Sequence, residues 1–315
     1  MRAPLRPEDE RPLVSLVMPA WRPQREWLRE AVASCLAQRD CAIELIVVDN
    51  GNPTPVADML ADVVDARLRF VRIPHGGVSR ARNVGVAEAR GTHLRFIDCD
   101  DVVDQGSTRR LLDLSIDDLT VAYGATEYCD VTLTPYKTVT CTLEGVIPAE
   151  ALTEFTVTLP SLLFPRRAVD LAGSWDEDMT ICEDWDFVQR VLEHARVRGE
   201  TRVASRYRRH ATSAVGTATI DLADRSAARV IDKYVERHPE QRRSPHVRRA
   251  HAIRLVSAGD RYLRIGDRRS AFTRFVAAGR MDAAYTARAV SGIIARELRS
   301  RLTRGRPRPQ PPVNA

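Results

Sequence analysis

No stretch of this 315-residue chain stays apolar for the ~20 residues needed to cross a bilayer, so no transmembrane anchor is expected within it. The N-terminal MRAPLRPEDERP is polar and Pro-rich and lacks an apolar h-region, which argues against a secretory signal. The six cysteines, at positions 35, 41, 99, 129, 141 and 182, show no CxxC or other zinc-like spacing. In a chain without a signal they are expected to be reduced thiols of a cytoplasmic protein. Glycine is missing from PAWRPQREW, Pro19 to Trp27, where a loop that wraps a triphosphate would need it.

Ordinary globular material is present: 44% hydrophobic and 29% charged residues, enough for a sizeable core. The net charge of +6 is unevenly spread. Residues 1–220 carry 26 Lys and Arg against 33 Asp and Glu, whereas residues 221–315 carry 22 against 9. That asymmetry points to a basic appendage meeting an anionic membrane surface or a polyanion; arginines on solvated helix faces are the plainer explanation.

Up to Asp101 the pattern alternates. Apolar runs of strand length at Val14–Pro19, Ile43–Val48 and Arg69–Ile73 are separated by helical stretches from Arg25, near Val56–Val64, and over Arg80–Ala89. Ser79 is expected to cap the last of these and Gly91 to close it. Such βαβ units predict a parallel sheet. Later segments read as a helix at Arg109–Leu114, strands at Thr120–Ala122 and within Val131–Val146, and, after the stretch Leu159–Phe164, a helix near Arg166–Leu171. An amphipathic helix opens with CEDWDF, and Val203–His210 is extended. From Leu222 the pattern is helical throughout, and GRPRPQPPVNA is a Pro-rich tail expected to be disordered.

The fourth strand, in HLRFIDCDD, runs straight into Asp98, Asp100 and Asp101. Ligands of open α/β sheets sit at such strand ends. Three clustered carboxylates are commonly relieved by a hard divalent cation, and an acidic loop capping the next helix is the bland alternative. Glu183 and Asp184 fall in the first turn of a predicted helix, where the helix dipole alone favours acids.

Residues 14–216 resemble the family 2 glycosyltransferases. VSLVMPAW, ELIVVDNG, GVSRARNVGVAEARG, FIDCDD and CEDWDF occur in the family's order, and YRRHATSA is similar to a late segment of many members. The resemblance implies a GT-A fold of the α/β class, a Rossmann-like, mixed and mostly parallel sheet between helices, over residues 13–220. A flexible N-terminus (1–12), a basic helical appendage (221–303) and the tail (304–315) flank it. It further implies inverting transfer from a nucleoside-diphosphate sugar to a glycan or lipid-linked acceptor, with no nucleic acid involved; the basic balance of residues 221–315 adds an expected peripheral location on the inner face of the cell membrane. Pro19, Ala20 and Trp21 would face the nucleotide, Asp49 its base, favouring a uracil- or thymine-type donor, and Arg80, Arg82 and Asp98 the donor. Mg²⁺ or Mn²⁺ would be held by Asp100, with Asp98 and His210 as further candidates. Asp184 would be the base and Glu183 would orient the acceptor. The second strand departs from the pattern, with Asn50 after Asp49 and Asn52 after Gly51, and Trp21-Arg22 stands where an aromatic followed by Asn is usual. A sugar-nucleotide nucleotidyltransferase or a non-catalytic polyanion- or membrane-binding module are the alternatives.

Overall fold

Ile43–Asn50 (β2) is buried at every position, because helices cover both faces of the sheet it lies in. It pairs in parallel with Val14–Ala20 (β1) and Leu68–Ile73 (β3), and β1 pairs in parallel with His93–Phe96 (β4). This computed structural model describes residues 14–213 and 217–304, so the expected N-terminal segment and nearly all of the tail lie outside the described residues. The chain divides into two units, Met1–Ala218 and Thr219–Ala315.

In the first unit the sheet continues beyond β4 through Leu162–Pro165 (β8), Thr120–Cys129 (β6), Arg196–Arg208 (β9) and Val102–Val103 (β5), in the order β3-β2-β1-β4-β8-β6-β9-β5. Strand β8 runs antiparallel to β4 and to β6. Strand β9 is parallel to β6, and β5 is antiparallel to β9. Pro135–Val139 (β7) pairs with the far end of β6. The sheet is therefore mixed, with the longest registers parallel. Arg25–Leu36 (α1) packs Leu28, Ala31, Val32 and Cys35 on one face, the stripe that its spacing predicts. Glu183–Leu192 (α6) and Arg166–Ala172 (α5) cover the opposite face around Phe96, Phe164 and Phe187.

Several local expectations differ from the structure. The helix expected over Val56–Val64 is a single turn, Val56–Met59 (α2), and Val64 is exposed. The helix over Gly77–Glu88 (α3) starts before Ser79, whose buried hydroxyl caps nothing. Gly91 lies beyond the C-cap at Ala89; a Cβ there would come within 2.7 Å of the Ser15 backbone nitrogen, so close approach to β1 is what requires glycine. The strand expected at Thr120–Ala122 runs on to Cys129, and β9 begins at Arg196, because each supplies the other with a partner. Ser107–Leu114 (α4) completes this unit.

The second unit is helical: Ile220–Arg237 (α7), Pro245–Arg264 (α8), Arg268–Met281 (α9) and Ala283–Arg304 (α10). The side chains of Thr219, Ser244 and Asp267 cap α7, α8 and α9.

Gly85 brings α3 onto the sheet. A Cβ there would lie 2.2 Å from Cγ1 of the buried Val17. Gly85→Ala is expected to cost about 1–3 kcal/mol through overpacking. In a Val17→Ala background that cost should largely disappear. Urea unfolding of the four proteins of this cycle checks it; equal effects in both backgrounds would show that contact with Val17 is not the cause.

Candidate active site

Strand β4 ends at Phe96, and the chain then turns, with the Asp101 amide bonding back to the Asp98 carbonyl at 3.1 Å. This break is what allows Asp98 and Asp100 to face one cleft. The cleft, about 260 Å³, is lined by Pro19 near the end of β1 and Trp21 just after it, Arg82 of α3, Asp98, Cys99 and Asp100, Glu183 and Asp184 of α6, and Tyr207 and Ser213 from the end of β9 and beyond.

Its centre is Arg82, only 3% exposed. One guanidinium nitrogen donates to Glu183 Oε1 at 2.9 Å and another to Asp98 Oδ1 at 2.8 Å. The guanidinium carbon lies 4.6 Å from the ring centroid of Trp175, which stacks on Phe187 at 3.9 Å. Burial opposes the charge on Arg82, but the facing carboxylates of Asp98, Glu183 and Asp184 outweigh it and raise its pKa. Burial and the neighbouring Asp184 lift Glu183 to about 7 against the pull of Arg82. Asp184 is open to solvent along the cleft and accepts the Trp185 amide at 2.8 Å. The protein packed around it raises its pKa, with Arg82 opposing.

On the other wall, His210 Nε2 lies 2.7 Å from Asp100 Oδ2, and its Nδ1 lies 2.9 Å from Thr212 Oγ1. Burial and the charge of Asp98 raise Asp100. Arg208, 2% exposed, supports this wall from behind. Its amide donates to Asp101 Oδ1, its Nε to the Asp100 carbonyl, and its terminal nitrogens to the Val131 carbonyl and Glu30. The ring of Trp27 takes the Arg208 guanidinium at 5.0 Å and the His210 ring at 4.8 Å.

The expected residues are not all at the cleft. Asp98, Asp100, Arg82, Glu183, Asp184, Pro19 and Trp21 line it, and His210 adjoins it through Asp100. Ala20 points into the core, with its carbonyl accepting from Asn52. Asp49 is 2% exposed and accepts from the Asn52 backbone and side chain, the Val56 amide and Arg72. Arg80 is exposed and lies over Gly76, outside the cleft lining. Spacing singled out neither Arg208 and Trp27 nor Asn83, which clasps the backbone of Trp175 from both sides. A buried arginine announces itself only through partners that the fold supplies.

Among the described residues, no group of three or more His, Cys, Asp or Glu side chains is arranged to hold a metal by itself. The expected set of Asp98, Asp100 and His210 is thus not assembled as a cage. Arg82 takes one oxygen of Asp98 and His210 one of Asp100, which leaves each carboxylate a second oxygen. Two carboxylates suit a cation such as Mg²⁺ that keeps waters or shares its coordination with phosphates.

Residues 15–167 match the Glycosyl transferase family 2 model. The chain is 37% identical over 102 residues to an uncharacterized glycosyltransferase, EpsJ, of Bacillus subtilis, covering 32% of this chain and 29% of that protein. It is 30% identical over 106 residues to the succinoglycan biosynthesis protein ExoO of Rhizobium meliloti, covering 33% of this chain and 30% of that one. The match therefore spans less than a third of either relative's length. Among solved structures, S. aureus TarS 1–349 in complex with UDP-GlcNAc superposes with a TM-score of 0.56 at 14% identity, covering 86% of this chain and 92% of that one. The fold is GT-A, and residues 15–167 are the part of the chain that is similar to the family 2 glycosyltransferases.

The raised pKa of Glu183 has a measurable consequence. Folding favours its protonated form, so the cost of its charge is absent below the unfolded value near 4.5 and complete above about 7. Glu183→Gln is expected to gain stability relative to the unsubstituted chain between about pH 5 and about pH 8. Urea midpoints of both proteins at the two pH values measure this, and a pH-independent difference would contradict it.

Proposed function

We propose that this chain is a family 2 glycosyltransferase that moves a sugar from a nucleoside-diphosphate sugar, with UDP- or dTDP-sugars favoured, to a glycan or lipid-linked acceptor. Anomeric configuration inverts, the acceptor lies at the cytoplasmic face of an anionic membrane, and the product is a cell-surface polysaccharide or glycoconjugate. The observation that carries this reading is the Arg82 bridge, which holds the Asp98 and Glu183 segments together so that Asp100 and Asp184 line one cleft. The names of the relatives agree with it: ExoO serves succinoglycan biosynthesis and TarS was solved with UDP-GlcNAc.

Negative charge builds on the diphosphate as it leaves. Asp100 and Asp98 would hold Mg²⁺ or Mn²⁺, which supplies Lewis-acid neutralisation of that charge. His210, held by Asp100 and Trp27, would meet the phosphates. The partly exposed Trp21 ring, stacked on His75 at 3.8 Å, offers an apolar wall to the base, and Asp49 shapes the neighbouring loop through Asn52. Asp184 faces the open cleft, and its raised pKa suits it to take the proton of the attacking hydroxyl. Glu183, engaged by Arg82, orients this turn.

Two measurements test the assignments. Thermal shifts with UDP-, dTDP- and GDP-sugars are expected to require Mn²⁺ or Mg²⁺ and to vanish in Asp100→Ala. A UDP-sugar shift that survives EDTA would rule out the cation. Asp184→Asn is expected to slow single-turnover transfer about 10²–10⁴-fold with donor affinity unchanged. Near-normal turnover would leave Asp184 with only a helix-dipole role, and lost donor binding would place it on the wrong side of the site.

A further inference from the structure

Helix α9 has the sequence RRSAFTRFVAAGRM, with four arginines and no acid. At 3.6 residues per turn, Arg268, Phe272, Val276, Arg269, Thr273 and Arg280 share one face. All six are exposed, Phe272 at 69% and Val276 at 41%. The opposite face is the packed one: Ala271 and Ala278 are buried, and Phe275 leaves no room for a Cβ at Gly259 of α8. In the turn before α9, where Gly266 has φ +87°, Ile265 is 69% exposed and Leu263 36% exposed.

The acids near this tip are turned to internal work. Asp267 caps α9 through the Ser270 amide, Asp260 pairs with Arg264 and Arg296, and Asp282 caps Tyr285 and pairs with Arg249. What remains outward is an apolar strip edged by arginines. That combination matches the boundary of an anionic bilayer, where apolar side chains enter the acyl region and arginines reach the headgroups.

We propose that the α8–α9 tip is the membrane-docking surface of this chain, with Ile265, Phe272 and Val276 inserting and Arg268, Arg269 and Arg280 contacting anionic phospholipid headgroups. The proposal rests on the membrane-surface part of the functional reading and names the residues that perform it. Attachment is reversible and interfacial: no helix among the described residues is long and apolar enough to cross a membrane.

The test is co-sedimentation of the full chain with vesicles of phosphatidylcholine alone and of phosphatidylcholine mixed with phosphatidylglycerol at about three to one. Binding is expected only to the anionic vesicles and should weaken as NaCl is raised. Ile265→Ser with Phe272→Ser is expected to weaken it by about tenfold or more. Arg268→Gln with Arg269→Gln should abolish the preference for anionic lipid. UDP-sugar thermal shifts on the same proteins are expected to be unchanged, which separates docking from catalysis and shows that the variants fold. Absence of binding to either vesicle, or binding indifferent to both pairs of substitutions, overturns the proposal. So does a dimer in size-exclusion chromatography that Phe272→Ser dissociates, since the face would then be an interface between copies. Vesicle binding without any donor binding would instead overturn the glycosyltransferase reading and leave the docking surface standing.

Discussion

The site depends on one buried guanidinium. Asp98, Glu183 and Asp184 come from segments far apart in the chain and would repel one another at the mouth of the sheet. Arg82 lies between them with its planar fork divided, one arm to each motif. A lysine ammonium could not span both carboxylates in this geometry, nor lie flat against Trp175 as the guanidinium does. Removing one partner of such a buried pair typically costs about 3–5 kcal/mol, because the other charge is left without compensation. The same contact that assembles the cleft therefore constrains the fold around it.

Arg208 performs the matching task behind the acidic turn. Three aspartates within four residues, with Asp101 1% exposed, are an unfavourable loop in isolation. Burial first, and then the charges of Asp100 and Asp98, raise Asp101 well above the usual carboxylate range. The Arg208 amide and side chain bond to this loop at two points, and its guanidinium lies against Trp27, which also carries His210. Two inward arginines, one on a helix and one on a strand, thus hold the acidic groups in place and leave Asp100 and Asp184 facing the cleft.

The sheet explains why these parts meet. Its parallel half, β3-β2-β1-β4, brings the loops after β1 and β4 to one edge, and β8 joins it to β6 and β9, whose C-terminal end delivers Tyr207 and Arg208. Arg95, wholly buried in β4, ties the joint by bonding to Ser107, Thr108 and the carbonyls of Pro160 and Ala204. Burial pushes its pKa down to about 10. A charge at that depth is tolerable only because its donors are used.

By itself the sequence determined what local periodicity encodes. The apolar runs of β1 and β2, the stripe on α1 and the helical character of residues beyond 220 were all legible, because each reflects which face of a short segment avoids water. The acidic motifs also located Asp98, Asp100, Glu183 and Asp184 in the cleft lining. Tertiary structure decided the rest. Helix α2 stops after one turn although its residues could continue, and the Asp49 carboxylate that bonds its first amide comes from the preceding strand. Strand β6 extends past its apolar start because β9 offers a parallel partner. Arg82 and Arg80 look alike on paper, two residues apart on one helix, yet one is buried between carboxylates and the other lies in solvent. The partners that separate them lie 16 and 101 positions away, and only the sheet order brings those positions together.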